Sequence, residues 1–283
     1  MLSNTLQWRT KETHVDSLLL KNELGMQIEN KKGVMKQFEL GKAVVRGIDK
    51  KGRPIVIIKP RLHHSSDQTE EEVELYTLLV IEYARLFLIE PVDSCSILFD
   101  MSGFTMANMD YTPVKYIIGA FEAHYPESLG VLFIHKAPWI FSGIWNIIKN
   151  WLDPVVASKI IFTKTIDELE KVIELKHIPK DLGGHDDYEW EYLEPTEELS
   201  SVPIKDSEKL AEVEKERSEL IDQFIELTIK WIESNNETDS KELLNQRIEL
   251  GKKLGENYTK LDPLTRNRAC YDRLGQWKHL NNY

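Results

Sequence analysis

The sequence predicts an α/β fold, because short apolar runs and helical stripes alternate along its central part. Between residues 55 and 162, uninterrupted apolar runs are separated by segments whose apolar residues recur every three or four positions. An uninterrupted run is typical of a strand buried on both faces, and its alternation with helical segments is typical of a sheet covered by helices. Glycine, proline and acidic residues mark the boundaries between these segments.

Four of the runs are predicted strands, each three to five residues long. The first follows the turn residues Gly47–Pro54, and the others lie between predicted helices. The predicted strands are Ile55–Ile58, Ser96–Asp100, Val131–Ile134 and Ile160–Phe162. Because each run is apolar throughout, we expect helices to cover the sheet that the strands form.

Helices are predicted before and between these strands. Residues 1–39 contain no proline and space their apolar residues at helical intervals, which predicts short helices. Acidic Glu70–Glu72 begins a long amphipathic helix, since carboxylates are favourable at the positive end of the helix dipole. Thr112 and Pro113 are the predicted cap and first turn of the next helix, which ends before Pro126.

The C-terminal region predicts an antiparallel helical hairpin. From Ser207 onwards the apolar residues form two helical stripes, Val213–Trp231 and Leu244–Tyr258, on either side of the breaker Ser234–Asn236. Two helices joined by so short a connection lie antiparallel. We expect this hairpin to be an addition behind the α/β unit.

The net charge of −11 arises in one strip of the chain. The whole sequence has 47 acidic and 36 basic residues, and residues 186–226 alone contain 15 acidic and four basic ones. Such a run is typical of a solvated linker and helix face. Without a basic patch the chain is not expected to bind nucleic acid, whereas its neutral remainder can approach an anionic membrane surface.

Cysteine usage and hydropathy predict a cytoplasmic protein. Neither Cys95 nor Cys270 has a Cys or His neighbour at metal-ligand spacing, so no disulfide framework or zinc site is expected. Charged residues interrupt the apolar stretch Leu78–Val92, which is therefore unsuited to spanning a bilayer. Residues 1–9 lack the basic start and apolar core of a signal peptide.

No catalytic motif is present in the sequence, so the protein is not expected to be an enzyme. There is no dinucleotide-binding glycine pattern after a strand, no phosphate loop and no nucleophile elbow. His63 and His64 lie in a polar segment and are interpreted as part of a solvated loop. His135 follows the third predicted strand, where it either contacts a ligand, haem included, or forms a structural hydrogen bond.

The segment Trp139–Asp153 predicts a helix that is apolar on two sides. Apolar residues form one stripe and extend around the helix, leaving a narrow polar edge. The stripe consists of Phe141, Ile144, Trp145, Ile148 and Leu152. A helix lying on a sheet needs one apolar face, so the second face meets another protein layer, an apolar ligand or a membrane.

Seven short motifs occur in a fixed order between residues 47 and 184. They are Gly52–Ile55, Leu98–Gly103, Tyr125–Gly130, Ala137–Phe141, Trp151–Pro154, Ser158–Ile160, and Ile178–Pro179 with Leu182–Gly184. Each is weak alone, but the ordered set resembles the CRAL-TRIO lipid-binding domain of the phosphatidylinositol/phosphatidylcholine transfer protein superfamily. Residues 1–9 resemble the end of the small helical domain that precedes this fold, which is expected to be incomplete here.

This resemblance implies a CRAL-TRIO fold, in which a mixed sheet floors an apolar lipid pocket under covering helices and a mobile gate helix. The gate would be Trp139–Asp153, with Gly130 and Gly183 as hinges and Gly143 as a further candidate. The implied domains are a partial N-terminal helical domain (1–46), a CRAL-TRIO lipid-binding domain (47–187), an acidic linker (188–206) and a helical C-terminal extension (207–283).

The resemblance also implies residues for the lipid headgroup. In members that bind phosphatidylinositol, a Glu and a Lys arrange the headgroup site, and they correspond to Glu127 and Lys159. These two charges form either a buried pair or a surface contact that is worth little. Ser128 and Val156 stand where those members carry an Arg and a hydroxyl residue. Thr105 matches a hydroxyl position used for phosphatidylcholine headgroups.

The function implied by the resemblance is lipid binding and transfer, with phosphatidylinositol as the expected bound lipid and no other cofactor. Peripheral, transient contact with intracellular membranes and a protein partner on the C-terminal helices are further expectations. Two alternatives stay open. One is a carrier or sensor of squalene, a sterol or haem, and the other is a lipid-loaded scaffold for protein interaction.

Overall fold

The computed structural model describes residues 2–277, and the chain divides into two compact units after Glu194. This division lies within the predicted acidic linker, residues 188–206. The first unit contains the N-terminal helices, the sheet and the helices that cover it. The second unit is helical in the part that the structure describes.

The first unit is built on one five-stranded sheet in the order β1-β2-β3-β4-β5. The strands are β1 (Ala43–Ile48), β2 (Pro54–Ile58), β3 (Cys95–Asp100), β4 (Leu129–His135) and β5 (Ile160–Thr163). β1 pairs antiparallel with β2, and the other neighbours are parallel. The sheet is therefore mixed, as predicted, and all four predicted strands are present.

β1 is a strand that the sequence pattern does not predict. It forms a hairpin with β2, and Asp49 closes the turn by accepting the backbone amides of Lys51 at 2.8 Å and Arg53 at 3.0 Å. Arg46 and Gly47 interrupt its apolar run, so pairing with β2 rather than local sequence decides its conformation. The predicted boundary between residues 46 and 47 falls inside this strand.

Helices of the first unit precede the sheet, connect its strands and follow it. They are α1 (Leu2–Gln7), α2 (Val15–Ile28), α3 (Lys32–Glu39), α4 (Glu70–Leu86), α5 (Tyr111–His124), α6 (Phe141–Ile148), α7 (Pro154–Ser158) and α8 (Ile166–Glu170), with a π-helix at Trp8–Glu12. Thr69 and Glu72 form a capping box at the start of α4, where each side chain accepts the other's backbone amide. α5 starts one residue before the predicted cap, because the Asp110 carboxylate accepts the Thr112 amide at 2.9 Å.

α6 is shorter than the predicted gate helix of residues 139–153. It ends at Ile148, and the chain then turns until Asp153 caps α7 by accepting the amide of Val155 at 2.7 Å. Pro154 occupies the first position of α7, where its missing N–H removes no helical hydrogen bond. The prediction of one continuous helix is therefore wrong, because a cap and a proline start a second one.

The two faces of the sheet bury different residues, because side chains alternate along a strand. One face packs on α8 and the turns after it, through residues that include Ile57, Leu98, Phe133 and Leu169. The opposite face, to which Ile97 belongs, borders a cavity. One face of the sheet therefore belongs to a closed core, and the other face borders the cavity.

The second unit contains the predicted helical hairpin. Its helices are α9 (Glu197–Ser200), α10 (Ser207–Glu233), α11 (Glu237–Thr265) and α12 (Cys270–Arg273). Glu216 on α10 pairs with Lys260 on α11 at 3.0 Å, and Thr228 accepts from Arg247 at 3.0 Å. Since later residues of α10 meet earlier residues of α11, the two helices are antiparallel.

Candidate ligand-binding site

An apolar cavity of about 250 Å³ lies between the sheet and the helices α4, α5 and α6. Its floor consists of Ala43, Val56, Ile58, Ile97, Phe99, Leu132, Ile134 and Ile160, and its walls include Val73, Val80, Ile81, Val114, Ile117, Ile118 and Phe121. Apolar walls with a small number of polar groups are typical of sites for small molecules. This lining suits the apolar part of an amphiphilic ligand.

The cavity is elongated along α4. Seven residues of this helix line it, and the first and last of them, Val73 and Arg85, are separated by a rise of ~18 Å. One end lies near the C-terminal edge of the parallel strands, where the Tyr76 hydroxyl accepts the amide of Ala43 at 2.9 Å. The other end lies near their N-terminal edge, where the Cys95 thiol is 3.9 Å from the Ala84 carbonyl. The cavity therefore has two distinct ends.

α6 forms the roof of the cavity. The prediction of a second apolar face on this helix is wrong, because its exposed side carries Ser142 and Asn146 beside Ile147. The predicted gate residues that line the cavity are Phe141, Trp145, Ile148 and Leu152. Ile144 is buried in the same apolar cluster but does not line the cavity. On the outside, Trp139 is 87% exposed and Ile147 is 45% exposed. Within residues 2–277, no helix has the length and apolar character needed to cross a membrane.

Glu127 and Lys159 meet at the N-terminal edge of the sheet in a surface contact rather than in the buried pair that was the other possibility. Lys159 Nζ lies 3.5 Å from Glu127 Oε2 and donates to the Leu129 carbonyl at 3.0 Å. The Glu127 side chain is 86% exposed, because the turn before β4 places this residue at a φ of +57° and directs it to solvent. The neighbouring Ser128 lines the cavity.

Thr105 lies at the opposite edge of the sheet, after the C-terminal end of β3. Its amide and its hydroxyl both donate to Asn108 Oδ1 at 2.9 Å, so its polar atoms complete a local turn. Thr105 does not line the cavity. The structure thus brings Glu127 and Lys159 together and leaves Thr105 apart from them.

The predicted hinge glycines have different surroundings. A Cβ at Gly130 would overlap the Arg53 side chain, so any other residue at this position in β4 would require Arg53 to move. Gly183 has a φ of +98°, which disfavours other residues. Gly143, on α6, has open space around it. Hinge motion at these positions stays a prediction.

A polar cluster that the sequence does not predict lies at the C-terminal end of the cavity. Lys42 Nζ is 2.8 Å from His63 Nδ1, and His63 Nε2 is 3.1 Å from Asp110 Oδ2. All three side chains line the cavity. The interpretation of His63 as a solvated loop residue is wrong, since it is 6% exposed and its partners lie 21 and 47 residues away along the chain.

Burial determines the protonation of this cluster. It lowers the pKa of Lys42 to about 8, with partial compensation from Asp67 and Asp110. Burial, and then the charge of Lys42, lower the pKa of His63. At neutral pH the cluster therefore combines a charged ammonium with a neutral imidazole.

His135 serves as a structural histidine rather than as a cavity residue. Its side chain is fully buried, Nδ1 lies 2.9 Å from the Thr163 hydroxyl, and the residue does not line the cavity. In the described part of the chain, no group of three His, Cys, Asp or Glu side chains is placed to hold a metal ion.

The fold and this site together define an α/β binding domain whose sheet floors an apolar cavity. A sequence model of the CRAL/TRIO domain matches residues 38–184, which is just over half of the chain. The chain belongs to the CRAL/TRIO domain family. The matched residues include the five strands, α4, α5 and α6, and therefore the floor and the roof of the cavity.

Two relatives match nearly the whole chain. Phosphatidylinositol transfer protein CSR1 of Eremothecium gossypii is 54% identical over 278 residues, and a CRAL-TRIO domain-containing protein of Schizosaccharomyces pombe is 38% identical over 275 residues. These matches cover 98% and 97% of this chain but 64% and 61% of the relatives, so the chain spans about three fifths of their length. The crystal structure of Sfh5 shares the fold, with a TM-score of 0.51 at 18% identity over 70% of this chain and 73% of Sfh5.

Proposed function

We propose that this chain binds a lipid in its apolar cavity and transfers it between membranes. The observation that carries the proposal is the apolar cavity along α4, beside whose roof helix the apolar side chains of Trp139 and Val155 are exposed. Membership of the CRAL/TRIO family and 54% identity to a protein named as a phosphatidylinositol transfer protein support it. The proposed activity requires no covalent chemistry, so the chain is a carrier rather than an enzyme.

The apolar lining avoids the free-energy cost of exposing a lipid's acyl chains to water. Exposing an acyl chain to water costs ~0.8 kcal/mol per CH₂, or roughly 12 kcal/mol for a chain of ~15 such groups. A lipid that moves from a bilayer into the cavity exchanges one apolar environment for another. Extraction is then feasible without an external energy source.

Exposed apolar side chains on α6 and directly before and after it are the proposed membrane contact. Trp139 is 87% exposed, Val155 is 59% exposed and Ile147 is 45% exposed. Exposed apolar residues grouped in this way mark interaction surfaces, and a Trp side chain suits the boundary between acyl chains and headgroups. Movement of α6 at such a surface would join the cavity to the bilayer.

Phosphatidylinositol is the lipid that we propose. The Lys159 ammonium can donate to a headgroup phosphate, and the exposed Glu127 carboxylate can accept from inositol hydroxyls. Ser128, adjacent to Glu127, lines the cavity, so a headgroup at this edge is close to where the acyl chains lie. The name of the relative from Eremothecium gossypii supports the same lipid.

A vesicle-to-vesicle transfer assay with fluorescent phosphatidylinositol tests the proposal. Ile117→Trp fills the cavity and is expected to lower the transfer rate at least tenfold, whereas Ile229→Trp, on an exposed face of α10, leaves it unchanged. Lys159→Ala is expected to lower transfer of phosphatidylinositol more than that of phosphatidylcholine. A wild-type rate equal to the vesicle-only rate would contradict the proposal.

A second candidate function, a lipid-loaded scaffold, is favoured by one surface. Exposed isoleucines recur every three or four residues on α10 and therefore share one face: Ile221, Ile225, Ile229 and Ile232. Mass spectrometry of lipid extracted from the purified chain, before and after incubation with vesicles, separates the two candidates. A bound lipid that does not exchange would favour the scaffold, and a neutral lipid would favour a carrier of non-phospholipid ligands.

A further inference from the structure

Lys42 places an ammonium group inside the apolar cavity. The residue is 6% exposed and its side chain is part of the lining. Within the described residues, the hydrogen bond of its Nζ is the one to His63 Nδ1 at 2.8 Å. An ammonium carries three N–H donors, so two of them have no protein acceptor in this part of the chain. Buried charges are normally paired, whereas this one contacts the neutral His63 ring and the face of the Tyr76 ring, whose centroid is 5.8 Å from Nζ.

The hydrogen bonds around His63 have a fixed direction. Lys42 can only donate, so His63 Nδ1 accepts and the proton of the neutral imidazole lies on Nε2. Nε2 then donates to Asp110 Oδ2 at 3.1 Å, while Asp110 Oδ1 accepts the Thr112 amide at 2.9 Å. Both ring nitrogens are therefore in use. The donors that stay available to a ligand are those of Lys42.

Other polar groups nearby are already engaged. Asn108 donates both amide hydrogens to backbone carbonyls at 3.1 Å, and the Tyr76 hydroxyl accepts the Ala43 amide. Asp67, whose charge acts on Lys42, binds Lys36 at 2.7 Å. Among the residues that the structure describes, no carboxylate forms a direct ion pair with Lys42.

This arrangement selects for one kind of ligand chemistry. An anionic oxygen would accept the unused hydrogens of Lys42 and compensate its buried charge. The apolar walls along residues 73–85 would hold a long hydrocarbon body. A fully apolar ligand would leave the ammonium with only the partial compensation that Asp67 and Asp110 supply.

We propose that Lys42, positioned by His63 and Asp110, binds an anionic oxygen of an amphiphile whose head enters the cavity first. The oxygen belongs to the carboxylate of a long-chain fatty acid or to the phosphate of a lysophospholipid. The inference rests on the proposed lipid-binding function and adds a headgroup site at the end of the cavity opposite to Lys159.

Binding of cis-parinaric acid and of its methyl ester to the full chain, measured by fluorescence at pH 7, tests this site. The wild-type protein is expected to bind the acid at least tenfold more tightly than the ester. Lys42→Met removes the charge and is expected to abolish this preference while retaining ester binding, which shows that the cavity is intact. Lys50→Met, which removes an exposed lysine from the β1–β2 turn, is expected to keep the preference.

The possible outcomes separate this inference from the proposed function. Equal wild-type affinity for acid and ester, or a preference that survives Lys42→Met, would overturn the site and leave lipid transfer standing. No binding of either probe, together with no transfer, would overturn both. If Lys42→Met does not bind the ester, the measurement is repeated with Lys42→Gln. Loss of the preference for the acid in this variant would support the site, and survival of the preference would overturn it.

Titrations with oleate and with oleoyl lysophosphatidic acid distinguish the two sources of the anionic oxygen. The compound whose affinity falls more in Lys42→Met identifies the head that the ammonium contacts. A tenfold or greater loss for one of them supports the site. Losses below twofold for both would overturn it.

Discussion

Tyr125 donates a hydrogen bond to Glu82 and thereby joins one end of the cavity to a buried ionic cluster. Tyr125 Oη lies 2.7 Å from Glu82 Oε1, and Glu82 pairs with both Arg9 and Arg85 at 2.9 Å. The Glu82 side chain is 4% exposed, and both Tyr125 and Arg85 line the cavity. Arg9, from the N-terminal segment, thus helps to fix the position of the cavity wall.

Removal of the Glu82 charge is expected to destabilise the protein strongly. Glu82→Gln leaves two arginines without their buried carboxylate partner, which costs about 3 kcal/mol. Glu71→Gln is the matched control, because Glu71 is exposed and its pair with Lys31 is worth less than about 1 kcal/mol. Urea unfolding of both variants at pH 7 measures the two costs. Equal costs would contradict the importance of the buried cluster.

The effect of Glu82 is expected to depend on pH. Burial opposes ionisation, but Arg85, Arg9 and the Tyr125 hydroxyl outweigh it and lower the pKa of Glu82. A lowered folded-state pKa gives stability that is present above the unfolded carboxyl value of 4.5 and is lost as the pH falls through the folded value. The stability difference between wild type and Glu82→Gln should therefore narrow in acid.

Lys42 is expected to make stability increase between about pH 8 and pH 10.5. Its folded-state pKa is about 8 and its ordinary value is 10.5, so the unfolded chain binds more protons in this interval. The free energy of unfolding then increases with pH, by up to ~3 kcal/mol. His63 is neutral throughout this interval, because burial lowers its pKa from the ordinary value of 6.5. Denaturant unfolding at pH 7 and pH 10 should show an increase that is larger for wild type than for Lys42→Met. The same increase in both proteins would contradict a lowered pKa of the buried Lys42 ammonium.

Trp139 is expected to contribute to membrane contact without contributing to stability. Trp139→Ser removes an 87% exposed ring, so the free energy of unfolding should change by less than ~0.5 kcal/mol. Vesicle sedimentation and lipid transfer should both decrease several-fold. Ile232→Ser, at a position that is 70% exposed on α10, is the matched control and should leave both measurements unchanged. If both variants lost vesicle binding and lipid transfer to the same extent, Trp139 and the adjoining α6 would not be the membrane contact.

Gly143 and Gly130 offer opposite tests of the gate. Gly143→Ala adds a methyl group where space is open, so it should stabilise α6 by ~0.5–1 kcal/mol and slow lipid exchange if the helix must bend. Gly130→Val would displace Arg53, which Asp49 holds at 2.7 Å, and should cost about 1–3 kcal/mol. Thermal unfolding and transfer rates measure both. Unchanged exchange in Gly143→Ala would exclude bending at this glycine.

Much of the fold could be predicted because its signals are local. The runs that include Ile97 and Phe133 are uninterrupted, and the hairpin break at Ser234–Asn236 is short and polar. β1 was harder to predict, because Arg46 and Gly47 break its pattern and its conformation depends on pairing with β2. Long-range pairing is not visible in a run of five or six residues.

The polar parts of the site could not be predicted in the same way. His63 has the sequence context of a loop, and only its contacts with Lys42 and Asp110 make it a buried residue. Glu127 is the opposite case, because the sequence leaves its burial open and the turn before β4 exposes it to solvent. Burial of a charged residue depends on tertiary partners, and hydropathy does not identify them.

Because side chains alternate between the two faces of the sheet, ligand preference and fold stability can change independently during evolution. Leu98 lies in the closed core, whereas its sequence neighbours Ile97 and Phe99 border the cavity. A substitution at either neighbour reshapes the space offered to a ligand and leaves the packing against α8 in place. Related proteins with this sheet can therefore acquire different cargoes through single changes on one face, without a compensating change on the other.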